Sequence, residues 1–76
     1  MDLTAEDDTR AFLARLASDP RTGRVIVHLR GGTQLTGTIG PLGDRSVVIK
    51  ALSGREFYDA YVRLDAVTAV EVQTRS

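Results

Sequence analysis

The sequence predicts a mainly β domain in which an N-terminal α-helix is followed by a five-stranded, strongly bent antiparallel sheet or small barrel. Apolar residues recur at helical spacing near the N-terminus and alternate with polar residues from residue 24 onward. Short glycine-containing turns interrupt the alternating part, and strands joined this tightly must run antiparallel. A chain of 76 residues holds one domain, which we place over residues 1–76.

The helix is predicted over residues 4–18. Thr4, followed three residues later by Asp7, resembles a capping box, and acidic residues in the first turn suit the positive end of the helix dipole. Asp19 precedes Pro20 and therefore avoids helical backbone angles, which ends the helix. The helix carries a narrow apolar stripe that needs something to pack against and consists of Phe12, Leu13, Leu16 and Ala17.

The first two strands are predicted over residues 24–30 and 34–40. Gly31 and Gly32 lie between them and are typical of a hairpin turn. Gly37 lies inside the second strand, where a glycine often marks the point at which a sheet bends. The residues predicted to share the inward face are Val25, Val27, Leu29, Leu35, Gly37 and Ile39.

Three further strands are predicted over residues 46–52, 56–64 and 67–72, so that the five strands together occupy about residues 24–72. The third is almost entirely apolar, as expected of a strand covered on both faces. The fourth alternates, and its period places Tyr58 in the core or at a subunit interface.

The composition favours self-association as a source of stability. A domain this small buries only about 60% of its unfolded surface and commonly needs disulfides, a metal or oligomerisation. The chain has no cysteine and one histidine, which excludes disulfides and the usual zinc sites. We therefore expect a self-associating protein without a bound metal or other cofactor.

The formal net charge is zero, but the charge is unevenly distributed. Residues 1–20 carry a net charge of −3 and residues 21–76 a net charge of +3. Nine of the ten basic residues are arginine, which suits phosphate groups and nucleobases better than lysine does. The alternative explanation of the same excess is a general compositional bias toward arginine.

Targeting and catalytic signals are missing from the sequence. The segment MDLTAEDD has neither the basic nor the apolar region of a signal peptide, and no apolar run approaches the length of a membrane span. We therefore expect a cytoplasmic protein with no membrane partner. No zinc-protease motif, phosphate-binding loop or paired catalytic carboxylates can be identified, so we expect that the protein is not an enzyme.

Two segments resemble the motifs of the Sm/LSm family, in its bacterial Hfq-like form. VIVHLRGGTQLTGTIGPLGDRSVVIK is similar to the first Sm motif, with alternating hydrophobic residues, a turn glycine at Gly32, the internal Gly37 and an apolar third strand. Val62-Arg63-Leu64-Asp65 is similar to the second motif, although the family has glycine where Leu64 stands. The resemblance covers about residues 4–72 and implies an Sm-like fold.

The resemblance also implies a function. Sm-like proteins form homo-oligomeric rings, here a hexamer or heptamer, in which the fourth strand of one subunit pairs with the fifth strand of its neighbour. They bind single-stranded RNA, and the matching positions here are Asp44, Arg45, Arg63 and Asp65. The family's base-stacking aromatic is missing from residues 43–46, so a guanidinium plane at Arg45 is the available substitute.

Alternatives remain open for several of these residues. The missing aromatic residue also fits an Sm-fold oligomeric scaffold or protein-interaction module that does not bind RNA. The alternative for Arg63 and Asp65 is an ion pair that shapes the corner, the tight turn at residues 63–65. His28 is expected to be an ordinary strand residue rather than a base contact. The residues predicted at the subunit interface are Phe57, Tyr61, Val70 and Val72, with base stacking as the alternative role for the two aromatic residues.

Overall fold

The computed structural model of the protein describes residues 3–74 and contains one α-helix followed by five strands. The strands form one antiparallel sheet in the order β4-β3-β2-β1-β5, so β4 and β5 are its two edges. The predicted mainly β fold class is confirmed, and the topology matches an Sm-like arrangement. The elements are α1 (Thr9–Ser18), β1 (Val25–Leu29), β2 (Gln34–Leu42), β3 (Ser46–Lys50), β4 (Ala60–Arg63) and β5 (Val67–Val72).

Helix α1 begins five residues later than the sequence predicts. Asp8, not Thr4, is the N-cap, because its Oδ1 atom accepts a hydrogen bond of 2.7 Å from the backbone N–H of Ala11. The Thr4 hydroxyl oxygen instead accepts from the backbone N–H of Glu6, in a turn that precedes the helix. Within residues 3–74 no helix is long and apolar enough to cross a membrane.

Strand β2 changes its pairing partner at Gly37. Up to that residue β2 pairs with β1, ending at Val25 opposite Gly37; from Thr38, which lies opposite Lys50, it pairs with β3. A Cβ atom on Gly37 would lie 2.5 Å from the carbonyl oxygen of Lys50. The close approach of the two backbones explains why glycine stands where β2 turns from one part of the sheet to the other.

The hydrophobic core joins the helix to the sheet. Leu13 and Leu16 of α1 are fully buried in the same cluster as the inward side chains of β1, β3 and β4. The strand residues of this cluster are Val25, Val27, Val47, Ile49 and Val62. The helix therefore has the packing partner that its apolar stripe requires.

The segment between β3 and β4 differs most from the sequence-based prediction. β3 ends at Lys50 rather than Leu52, because Ala51 has a positive φ of 54° that no regular strand contains. β4 begins only at Ala60, so Phe57 lies outside it, with a φ of 67°. The prediction for Tyr58 was wrong as regards the core, because this residue lies in the loop with 62% of its surface exposed.

Candidate nucleic-acid interface

Two segments distant in sequence meet at one end of the sheet. The backbone N–H of Leu64 donates a 2.9 Å hydrogen bond to the carbonyl oxygen of Arg45, which joins the corner after β4 to the turn before β3. The guanidinium of Arg10 on α1 donates from Nε to the carbonyl oxygen of Gly43 at 2.9 Å. Helix, turn and corner are thus connected by hydrogen bonds that fix their relative position.

A cleft of about 470 Å³ lies between this turn and this corner. Its size is within the range of pockets that hold small organic ligands. All four positions that the Sm resemblance assigns to RNA line this cleft, together with one aromatic and one aliphatic side chain. The lining residues are Asp44, Arg45, Tyr61, Arg63, Leu64 and Asp65.

The corner is held together by its own ion pair. Arg63 Nη2 lies 2.7 Å from Asp65 Oδ2, and both side chains are largely exposed. The guanidinium of Arg30 donates to the backbone carbonyl oxygen of Asp65. The ion pair expected as the structural alternative for Arg63 and Asp65 is therefore present. An exposed pair of this kind contributes only about 0–1 kcal/mol, so it leaves the guanidinium available to a ligand at little cost.

Three other side chains of the cleft have free polar groups. Among the described residues, the carboxylate of Asp44, the guanidinium of Arg45 and the hydroxyl of Tyr61 have no hydrogen-bond or ion-pair partner. Tyr61 is 73% exposed. The cleft therefore presents a free acceptor, a free cation and an open aromatic face side by side.

Tyr61 supplies the aromatic group that the turn at residues 43–46 lacks. It lies on β4 opposite Val48, two residues before Arg63. Alternate residues of a strand share a face, so the spacing of Tyr61 and Arg63 in the sequence already indicated that both side chains lie on one side. The sequence prediction looked for an aromatic in the turn and assigned Tyr61 to a subunit interface, a role that stays a prediction.

The remaining candidate residues lie away from the cleft. His28 Nε2 contacts Glu71 Oε2 across the β1–β5 pairing, as an ordinary cross-strand contact would. Val70 and Val72 are half-buried on edge strand β5 and pack against the core of their own chain. Phe57 is 99% exposed in the loop between β3 and β4.

Metal binding has no support in the described part of the chain. Residues 3–74 contain no cluster of three or more histidine, aspartate or glutamate side chains placed to hold a metal ion. The cleft offers two carboxylates, but one is paired with Arg63, and the guanidinium of Arg45 lines the same cleft. Such a set of groups suits an anionic organic ligand better than a metal ion.

Comparison with known proteins finds no matching family model, no matching curated protein and no matching solved structure. Membership of the Sm/LSm family therefore stays a prediction. It depends on the two motif-like segments and on the observed strand order.

Proposed function

We propose that this protein binds single-stranded RNA without catalysing a reaction, as a homo-oligomeric Sm-like ring in the cytoplasm. The observation that carries the proposal is the cleft in which Asp44, Arg45, Arg63 and Asp65 meet beside Tyr61. Sequence-specific RNA recognition uses unstacked bases that lie on an aromatic or guanidinium plane, with polar groups at the base edges. This cleft combines those groups in about 470 Å³.

Each side chain has a distinct role in this proposal. Tyr61 provides the surface on which a base stacks, since its ring is exposed on β4. Arg45 and Arg63 contact the phosphate, for which the planar guanidinium is well suited. Asp44 is left to accept hydrogen bonds from the base, because a carboxylate can only accept and would repel phosphate.

Ring formation would use the two open edges of the sheet. β4 and β5 each have one side without a partner strand in residues 3–74, and exposed edges of this kind invite pairing between chains. The unpaired edges belong to two different strands, so a contact between β4 of one copy and β5 of the next is head-to-tail and can close into a ring.

Solution mass tests the ring. Light scattering or sedimentation at tens of micromolar should give six or seven times the 8.2 kDa of one chain. A mass near 8.2 kDa would exclude a constitutive ring.

RNA binding is tested with labelled uridine-rich and adenine-rich oligomers over a salt titration. Arg45→Ala should weaken binding and reduce the slope of log K against log salt by about 0.7 for one lost phosphate contact. Arg55→Ala is the matched control, because Arg55 is exposed in the β3–β4 loop and does not line the cleft. Absence of binding to every oligomer at low salt would rule the function out.

A second candidate function, a protein-interaction module without RNA, is favoured by Phe57. This side chain is 99% exposed at a positive φ of 67°, both of which are unfavourable for phenylalanine in isolation. The loop is ordered by hydrogen bonds from Leu52 to Tyr58 and from Tyr58 to Arg55. Recovery of protein partners after nuclease treatment would support this function, and copurification with RNA would count against it.

A further inference from the structure

The free groups of the cleft differ in how well they fit the four bases. Asp65 lies 2.7 Å from Arg63, whereas the carboxylate of Asp44 has no partner among the described residues and is the acceptor open to a base. A carboxylate has two acceptor oxygens and no donor, and it therefore matches a base edge that presents two adjacent N–H donors.

Guanine alone has such an edge. Its N1–H and N2–H groups lie next to each other and can donate to the two oxygens of one carboxylate. Uracil presents a single N–H donor between two carbonyl acceptors, whereas adenine and cytosine each place one amino group beside a ring-nitrogen acceptor. A carboxylate that faces uracil, adenine or cytosine accepts only one hydrogen bond. Its second oxygen would lie opposite a lone pair of the base, which is unfavourable.

The other two free groups suit the rest of a guanine nucleotide. The exposed ring of Tyr61 stacks a purine over a larger area than a pyrimidine, and stacking strength increases with overlap. The guanidinium of Arg45 lines the same cleft and is a cation suited to a phosphate.

We infer that the cleft is a guanine-nucleotide site in which Asp44 accepts from N1–H and N2–H, Tyr61 stacks the base and Arg45 contacts the phosphate. This inference rests on the proposed RNA-binding function and adds the identity of the base. A guanine within an RNA strand and free guanosine monophosphate present the same groups, so the experiment includes both.

The test is fluorescence anisotropy with a labelled uridine hexamer and the same hexamer carrying one central guanosine, adenosine or inosine. The guanosine oligomer should bind about 10- to 100-fold more tightly than the uridine and adenosine oligomers, as expected for one bidentate base contact. Inosine lacks the N2 amino group and should lose most of that gain. Competition with free guanosine monophosphate distinguishes a site for the nucleotide alone from one that needs the strand.

Asp44→Asn is the decisive variant, because an amide keeps the shape of the exposed turn but replaces one acceptor with a donor. It should abolish the guanosine preference, so that the guanosine and uridine hexamers bind equally. Glu56→Gln is the control, since Glu56 is exposed in the β3–β4 loop and does not line the cleft. Equal binding of all four oligomers, or a preference that Asp44→Asn leaves unchanged, overturns the inference but not RNA binding. Failure to bind any oligomer or the free nucleotide overturns both.

Discussion

The backbone of β2 at Gly37 passes so close to Lys50 that an added Cβ atom would lie 2.5 Å from the carbonyl oxygen of Lys50. Gly37 is also where β2 exchanges its β1 pairing for its β3 pairing. The bend of the sheet, and with it the placement of the turn at residues 43–45, depends on this approach.

Gly37→Ala should lower the free energy of unfolding by about 1–3 kcal/mol, because the new methyl group forces two paired backbones apart. Urea denaturation followed by circular dichroism measures the change. Gly23→Ala is the control, since a Cβ atom at Gly23 meets nothing within 4 Å. Equal stability of Gly37→Ala and the parent protein would contradict the packing argument.

Asp8→Ala should destabilise the protein by about 1 kcal/mol, because the N–H of Ala11 loses the acceptor that caps α1. Asp8→Asn keeps a side-chain oxygen and should retain most of the stability. Urea denaturation of both variants distinguishes the cap from charge. If Asp8→Asn loses as much as Asp8→Ala, the helix dipole and not the hydrogen bond is responsible.

Tyr61→Ala should weaken RNA binding by about 1–3 kcal/mol, the usual contribution of one stacked base. Tyr61→Phe should bind nearly as well, since the ring and not the hydroxyl forms the platform. Anisotropy titrations measure both variants. Tyr58→Ala serves as the control, because Tyr58 is 62% exposed but does not line the cleft. Equal losses at Tyr58 and Tyr61 would contradict a specific platform.

Phe57→Gly should be more stable than Phe57→Ala by about 1 kcal/mol, because glycine adopts a positive φ without the steric cost that any Cβ atom introduces. Both variants remove the exposed ring, so the comparison isolates the backbone. Thermal and urea unfolding provide the measurement. A more stable alanine variant would show that the loop does not hold this conformation.

The pKa of Asp19 should lie below its usual range in a carboxyl-detected NMR titration. The backbone N–H of Arg21, followed by its guanidinium, donates to the carboxylate and favours the charged form. Since the folded pKa is depressed, the associated stability is present above the unfolded pKa and is lost as the pH falls through the folded pKa. Arg21→Ala should keep much of the shift, because the backbone donor remains. Complete loss would assign the shift to the guanidinium instead.

The sequence was most informative where periodicity and turn chemistry act locally. The end of α1 at Ser18 and the bounds of β5 at Val67–Val72 agree with the pattern of apolar residues and with Pro20. The start of α1 was predicted less well, because Thr4 and Asp8 are both good caps and the local pattern does not distinguish between them. The end of β3 could not be predicted, because an alanine in the sequence does not indicate the positive φ that Ala51 has.

The sequence by itself determined the order of one helix and five antiparallel strands, because short-range spacing specifies which faces are apolar. It also indicated the positions that line the candidate site. Tertiary structure alone decided that Arg45, Tyr61 and Asp65 surround one cleft, since β2, β3 and β4 must pair in register before residues far apart in the chain can meet. It also decided that Tyr61 supplies the aromatic face. The side chains of the cleft are thus brought together by strand pairing and the bend at Gly37, which act over distances that local sequence patterns do not encode.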